Sequence, residues 1–242
     1  MPRSEPAPWH YTDGSLALTG ELYHPAEAGN GRAVLVVHEA DGIGGNVQRH
    51  CRLLADMGYV AAAADIHGAG RPLVDDEIPA ALAAFRADPA LLRGRVGAGL
   101  SALMRTCAMQ ASSVAAIGYC FGGTAVLELA RSGAPLAAVA SFHGLLTTAA
   151  PAAPGTIRAR VLACTGARDP LVPPEDVATF QREMAAADAD WHLAVFGRAL
   201  HSFTNSTVGS LGDPRMAFDP EAEESAWAQL SLFLAQSFRQ AD

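Results

Sequence analysis

The sequence predicts an α/β protein whose mostly parallel central sheet carries helices on both faces, in a single domain over residues 1–242. Three observations favour this fold class. Strand-like runs alternate along the chain with helical stretches. The runs Ala33–Val37 and Tyr59–Ile66 are almost wholly apolar, which is typical of strands buried on both faces. A length of 242 residues suits one domain of this kind.

Each element follows from its own pattern. Polar alternation over Tyr11–Tyr23 predicts a hairpin that turns at Asp13-Gly14 or at Gly20. The stretch from Asp75 to Met109 holds one or two helices, with a break near Asp88-Pro89 because proline interrupts a helix. Four more strands are predicted at Ser113–Tyr119, Leu136–Phe142, Arg160–Cys164 and His192–Phe196, and four more helices at Val47–Met57, Thr124–Arg131, Glu175–Ala187 and Glu221–Phe238.

Composition excludes several classes of function. The formal net charge is −8, and the 17 basic residues are all scattered arginines, so we expect no nucleic-acid or anionic-membrane partner. The segment Met1–Gly14 lacks the apolar stretch of a signal peptide. The four cysteines show no CxxC spacing, and without an export signal we expect reduced thiols in a cytoplasmic protein.

A nucleophile elbow is predicted at Gly118–Gly123, which reads Gly-Tyr-Cys-Phe-Gly-Gly between a strand and a helix. Glycines flank Cys120 because a side chain would block so sharp a turn. The positive end of the following helix favours a thiolate at Cys120. The backbone N–H of Phe121 could then stabilise an oxyanion. The alternative is a buried structural cysteine in a glycine-rich turn.

An acid and a base follow in the order that this kind of elbow requires. Asp169 comes just after the strand ending at Cys164, and His201 comes after the strand ending at Phe196. His201 would accept the thiol proton, and Asp169 would fix the histidine tautomer. Singly, each could be an ordinary loop residue. Their order and placement together favour a Cys120-Asp169-His201 triad.

Other polar residues at strand ends are weaker candidates. His143 is a rival base, disfavoured because it precedes the acid in the chain. Asp65 and His67 are expected to cap or line the rim of the site. His38-Glu39 with His50 does not have the H-E-x-x-H spacing of a metal site, so no metal is predicted.

These motifs resemble the dienelactone hydrolase family within the α/β-hydrolases. The resemblance runs from about Gly20 to the C-terminus, and its motifs are Val37–Gly42, Gly118–Gly123, Gly166–Pro170 and His201–Phe203. It implies an α/β-hydrolase fold, the Cys-His-Asp triad, a role for Glu39 in contacting the resting thiol, and an oxyanion hole completed by the backbone N–H of Ala40.

The sequence departs from the family where an arginine is expected to bind a substrate carboxylate. That position is Asn205, and a neutral amide cannot replace the charge of a guanidinium. We therefore expect neutral esters or lactones to be preferred. The arginines that could take over carboxylate binding are Arg71, Arg93, Arg95 and Arg198.

Taken together, the sequence predicts a hydrolase that cleaves a small-molecule ester or lactone through a cysteinyl acyl-enzyme, without a cofactor, as a monomer or homodimer. One alternative is acyl transfer or thioester cleavage at the same site. Another is a thiol-based sensor, or a relative of the fold that binds a ligand without catalysis.

Overall fold

The computed structural model describes residues 5–68, 70–74 and 76–240. A single eight-stranded sheet runs through it in the order β1-β2-β4-β3-β5-β6-β7-β8. The six strands β3 to β8 are mutually parallel, so the prediction of a mostly parallel sheet is confirmed. The strands are β1 (Ala7–Asp13), β2 (Leu16–Tyr23), β3 (Ala33–Val37), β4 (Val60–Ala64), β5 (Val114–Tyr119), β6 (Ala138–Phe142), β7 (Arg160–Gly166) and β8 (Trp191–Phe196).

The N-terminal hairpin forms one edge of the sheet. β1 and β2 pair antiparallel with Asp13 opposite Leu16, so the chain turns at Gly14-Ser15. Of the two predicted turns, Asp13-Gly14 is confirmed and Gly20 is wrong. Gly20 lies inside β2, where a Cβ would come within 2.2 Å of the Ala63 carbonyl oxygen.

Helices cover both faces of the sheet. They are α1 (Gly45–Asp56), α2 (Glu77–Ala87), α3 (Pro89–Cys107), α4 (Phe121–Arg131), α5 (Pro174–Ala186) and α6 (Pro220–Gln240). Successive residues of β3 belong to opposite cores: Leu35 packs with α3 and α4, whereas Val34 and Val36 pack with α1 and α6. All five residues of β3 are fully buried, which is why the strand carries no polar side chain.

The structure differs from the sequence predictions at α4 and at β8. Helix α4 begins at Phe121 rather than Thr124, directly after Cys120, because the glycines that mask the helical pattern lie in its first turn. Strand β8 is half-exposed, because it forms the other edge of the sheet. The break at Asp88 is confirmed, and its side chain accepts hydrogen bonds from Ala90 and Leu91 at the start of α3. None of the described helices is long and apolar enough to cross a membrane.

The parallel strands bring their carboxyl ends to one edge of the sheet. His38 and Glu39 follow β3, Cys120 follows β5, and Asp169 and His201 follow β7 and β8. This edge is where open α/β sheets bind ligands.

Candidate active site

Cys120 occupies a strained turn between β5 and α4. Its backbone has φ 53° and ψ −117°, a conformation that costs a residue with a Cβ about 1–3 kcal/mol. The backbone N–H of Cys120 faces two acceptors at 3.0 Å, the Phe142 carbonyl and Nδ1 of His143. The strain is therefore held in place by the end of β6, and the thiol is presented at the N-terminus of α4.

The glycines around Cys120 are required by close backbone contacts. A Cβ on Gly118 would lie 2.0 Å from the Gly122 carbonyl oxygen. A Cβ on Gly122 would lie 2.2 Å from the Val37 carbonyl oxygen. Side chains at either position would push α4 away from the sheet and displace the thiol.

Three predicted residues converge on this turn. His201 Nε2 lies 3.1 Å from Cys120 Sγ, and His201 Nδ1 lies 2.7 Å from Asp169 Oδ2. A carboxylate can only accept, so Nδ1 carries the proton and Nε2 faces the thiol. The second oxygen of Asp169 accepts from the Leu171 N–H at 2.8 Å, which fixes the carboxylate plane.

Electrostatics at this site stabilise the imidazolium that His201 becomes when it accepts a proton. Burial by itself lowers the pKa of this imidazole, but hydrogen bonds to Asp169 and Cys120 outweigh it and raise the pKa to about 10. The main chain of His201 is also held, since its N–H donates to the Arg215 carbonyl and its own carbonyl accepts from Ala217. The ring is therefore fixed where it can receive a proton from the thiol.

Within the described part of the chain, two backbone N–H groups at this edge of the sheet have no protein acceptor: that of Ala40, after β3, and that of Phe121, after Cys120. The N–H of Phe121 is free because it belongs to the first turn of a helix. That of Ala40 lies in the loop after β3. Free donors of this kind can bind an oxyanion.

Glu39 contacts Asn205 rather than the thiol. The Asn205 amide donates to both carboxylate oxygens, at 3.3 and 3.0 Å. Burial, followed by the charge of Asp41, raises the pKa of Glu39 to about 7, against the opposing effects of Asn205 and His201. Position 205, where the family pattern predicts a substrate contact, is thus occupied by a partner of Glu39.

His143 does not face the thiol as a base would. Its Nδ1 accepts from the Cys120 N–H, and its Nε2 lies 2.8 Å from the Thr204 hydroxyl. Burial lowers the pKa of His143 well below its usual value, and the neighbouring His201 lowers it further. A neutral ring with both nitrogens engaged supports the backbone of the nucleophile.

A cavity of about 270 Å³ opens beside Cys120 and His201. Its walls come from α2, α3, α4 and the segment after β6, and most of them are apolar. Apart from Cys120, Phe121 and His201, sequence patterns did not identify the lining residues, because nothing in an amphipathic helix shows which part of its apolar face borders a cavity. The lining residues include Leu82, Phe85, Arg86, Leu92, Phe121, Glu128, Leu145 and Leu171.

None of the four arginines considered for substrate binding is among the described residues that line the cavity, although Arg93 contacts Glu128 of its wall. Three of them pair with carboxylates: Arg71 with Glu77, Arg93 with Glu128, and Arg95 with Asp13, each at 2.7 Å. Arg198 is exposed. Among the described lining residues, the arginine is Arg86, near the end of α2.

The remaining cysteines are free thiols that stand apart from this cavity. Cys51 and Cys164 are buried, and Cys107 is half-buried. Burial raises the pKa of each thiol, as expected for small apolar fillers.

Comparison with known proteins agrees with this architecture. Residues 18–238 match the model of the dienelactone hydrolase family. A protein of Bradyrhizobium sp. named "Probable 2-oxo-3-(5-oxofuran-2-ylidene)propanoate lactonase" is 28% identical over 233 residues, which cover 92% of this chain and 90% of that protein.

Two solved structures are similar over nearly their whole length. The dienelactone hydrolase-like promiscuous phosphotriesterase P91 from metagenomic libraries has a TM-score of 0.89 and 35% identity, covering 97% of this chain and 99% of that one. The structure named m3DLH has a TM-score of 0.91 and 36% identity, covering 98% and 100%. Since the family model spans almost all of the chain, the protein belongs to the dienelactone hydrolase family of α/β-hydrolases and is a hydrolase of esters or lactones.

Proposed function

We propose that this protein hydrolyses small neutral esters or lactones through a covalent thioester on Cys120. The observation that supports this most is the continuous contact from Cys120 Sγ to His201 Nε2 at 3.1 Å and from His201 Nδ1 to Asp169 Oδ2 at 2.7 Å. A sulfur nucleophile, a base and an orienting acid at these distances match the requirements of acyl transfer.

In the first half-reaction the thiol proton moves to His201, and Cys120 Sγ attacks the substrate carbonyl carbon. The carbonyl oxygen becomes an oxyanion that accepts hydrogen bonds from the N–H groups of Ala40 and Phe121. The C–O bond to the leaving alcohol then breaks, and His201 protonates that oxygen. With a lactone, the alcohol stays attached to the acyl chain.

The second half-reaction reverses these roles. His201 takes a proton from water as the water oxygen attacks the thioester carbon, and the C–S bond breaks. Cys120 regains the proton and the free acid leaves. No step uses a metal or organic cofactor.

Asp169 and Glu39 act on the charged groups rather than on the substrate. Asp169 stabilises the imidazolium that forms in both half-reactions and keeps Nε2 directed at sulfur. The charge of Glu39 interacts with that of His201, and a negative charge on this side of the pair would oppose ionisation of the resting thiol and protect it from oxidation. Its pKa of about 7 means that this charge changes near neutral pH.

The cavity supports neutral substrates of modest size. Its volume of about 270 Å³ suits a short acyl or lactone group, and six of the described residues that line it are leucine or phenylalanine. Glu128 borders it, but the charge of this residue is matched by Arg93 at 2.7 Å and Arg131 at 3.0 Å. The Bradyrhizobium relative is named for a lactone that carries a carboxylate, and we propose that this protein prefers lactones without one.

A panel of chromogenic esters, thioesters and lactones tests the proposed function. Repeated turnover of esters, with product acid as the end point even when a second alcohol is added, is the expected result. A single stoichiometric reaction would instead identify a thiol sensor. Transfer of the acyl group to the added alcohol would identify an acyltransferase, and a strong preference for thioesters a thioesterase.

A further inference from the structure

The peptide units on both sides of Ala40 are held by histidine side chains. His38 Nδ1 lies 2.6 Å from the Glu39 carbonyl oxygen, and His67 Nε2 lies 3.0 Å from the Ala40 carbonyl oxygen. Carbonyl oxygens only accept, so both rings donate. Because a trans peptide directs its C=O and N–H in opposite directions, holding the Glu39 carbonyl fixes the direction of the Ala40 N–H.

Both rings are anchored to the end of β4. The N–H of Ile66 donates to Nε2 of His38 at 3.0 Å, which leaves the proton of that ring on Nδ1. The side chain of Asp65 accepts from the N–H groups of His67 and Gly68 and so caps the turn that carries His67. The two imidazole rings lie 4.8 Å apart.

His67 also stacks on the side chain of Phe121, the residue that carries the other free N–H. Its ring is nearly parallel to that of Phe121, with 6.0 Å between centroids and 12° between planes. One side chain therefore contacts the two residues whose N–H groups form the proposed oxyanion hole. We propose that His38 and His67 are positioning residues, which hold the Ala40 N–H towards the substrate oxyanion and fix its distance from the Phe121 N–H.

For His38, this role requires an uncharged ring. Protonated His38 would have no lone pair to accept from Ile66. Burial, followed by the charge of His67, lowers the pKa of His38 to about 4, and burial lowers that of His67 too. Both rings therefore stay neutral while the triad works.

The inference rests on the proposed function, and two reactions of the same thiol separate them. Ester cleavage develops an oxyanion, whereas alkylation of Cys120 by iodoacetamide does not. His67→Phe keeps an aromatic ring against Phe121 but removes the donor to Ala40, and His67→Gln keeps an amide donor near the position of Nε2. His38→Leu and His38→Asn form the matching pair at the other peptide, and His24→Phe, at an exposed histidine, is the control.

We expect His67→Phe and His38→Leu to lower kcat/KM for 4-nitrophenyl acetate by about 10-fold or more, part of the loss of about 10²–10³ seen when one oxyanion donor is removed. Their alkylation rates should match the wild type, and His67→Gln and His38→Asn should recover most of the ester turnover. His38 is fully buried, so the half-buried His67 keeps the test valid if His38→Leu does not fold.

Wild-type turnover by His67→Phe, or an equal loss of turnover and alkylation in that variant, would overturn the inference. The proposed function fails in a different way. In that case, alkylation of Cys120 would leave the wild-type enzyme active.

Discussion

Replacing Asp169 by asparagine removes one charge while keeping the shape of the side chain, and the contacts of Asp169 determine how the triad responds. Asparagine has one acceptor oxygen, but Asp169 serves two donors, the Leu171 N–H at 2.8 Å and His201 Nδ1–H at 2.7 Å. The backbone N–H of Leu171 can only donate, so the side-chain oxygen of the introduced asparagine faces Leu171. The NH₂ group then faces His201 and moves the imidazole proton to Nε2.

A proton on Nε2 faces the thiol and leaves no lone pair to receive a second one. Inverting the tautomer in this way costs about 10⁴ in kcat in a serine-based triad, or about 5 kcal/mol. We expect a kcat loss of about 10³–10⁴ for Asp169→Asn, because a thiol gives up its proton more readily than a hydroxyl.

The stability of the variant should change with pH in a defined direction. The folded-state pKa of His201, about 10, lies above its usual 6.5. This stabilisation is fully present below pH 6.5 and is lost as the pH rises towards 10. Asp169→Asn removes a main source of the raised pKa, so its free energy of unfolding should depend less on pH across this interval.

Initial rates with 4-nitrophenyl acetate and urea unfolding at several pH values provide both readouts. Glu175→Gln, an exposed carboxylate at the start of α5, is the matched control and should behave as wild type. Turnover by Asp169→Asn within about 10-fold of wild type, against the expected loss of about 10³–10⁴, would refute the assignment of the acid.

Three further substitutions test the surroundings of the thiol. Glu39→Gln should speed alkylation of Cys120 by iodoacetamide at neutral pH, and unchanged alkylation would reduce Glu39 to a structural partner of Asn205. The pKa of Glu39 is raised from 4.5 to about 7, so its ionisation destabilises the folded protein as the pH rises through that interval. Above pH 7 the free energy of unfolding of Glu39→Gln should therefore exceed that of the wild type by up to about 3 kcal/mol, as measured by urea unfolding. Asn205→Arg should pair with Glu39 and leave the ratio of kcat/KM for neutral and carboxylate-bearing lactones unchanged; a shift towards the anion would mean that position 205 reaches the substrate. Arg86→Gln should leave neutral-ester turnover near wild type and weaken binding of carboxylate-bearing lactones, with Arg198→Gln as control; equal losses for both substrates would show that Arg86 supports the cavity itself.

The parts of the fold that obey local rules could be predicted. Continuous apolar runs located β3 and β4, and the proline at 89 located the break between α2 and α3. The sequence also predicted that Cys120, Asp169 and His201 lie at one edge of the sheet. Parallel strands place the loops that follow them at the same edge, however the intervening helices pack.

Features that depend on packing could not be read in this way. Sequence patterns place Asn205 near a substrate, but its amide faces Glu39 because the loop after β8 folds back towards the loop after β3. His38 could be recognised only as part of a motif, since its proposed role depends on the Ile66 N–H, which is 28 residues away. The apolar wall of the cavity likewise depends on how α2 packs near Cys120, which no local sequence pattern specifies.

The most direct test of the thioester mechanism is the ester turnover of Cys120→Ala compared with Cys51→Ala, Cys107→Ala and Cys164→Ala. We expect Cys120→Ala to fold but to lose turnover to background, because the substitution removes only the sulfur that forms the thioester. The other three variants should keep the wild-type kcat, with a loss of stability where the thiol fills buried space. Turnover near the wild-type rate in Cys120→Ala, or its loss in another cysteine variant that remains folded, would contradict the assignment of Cys120 as the nucleophile.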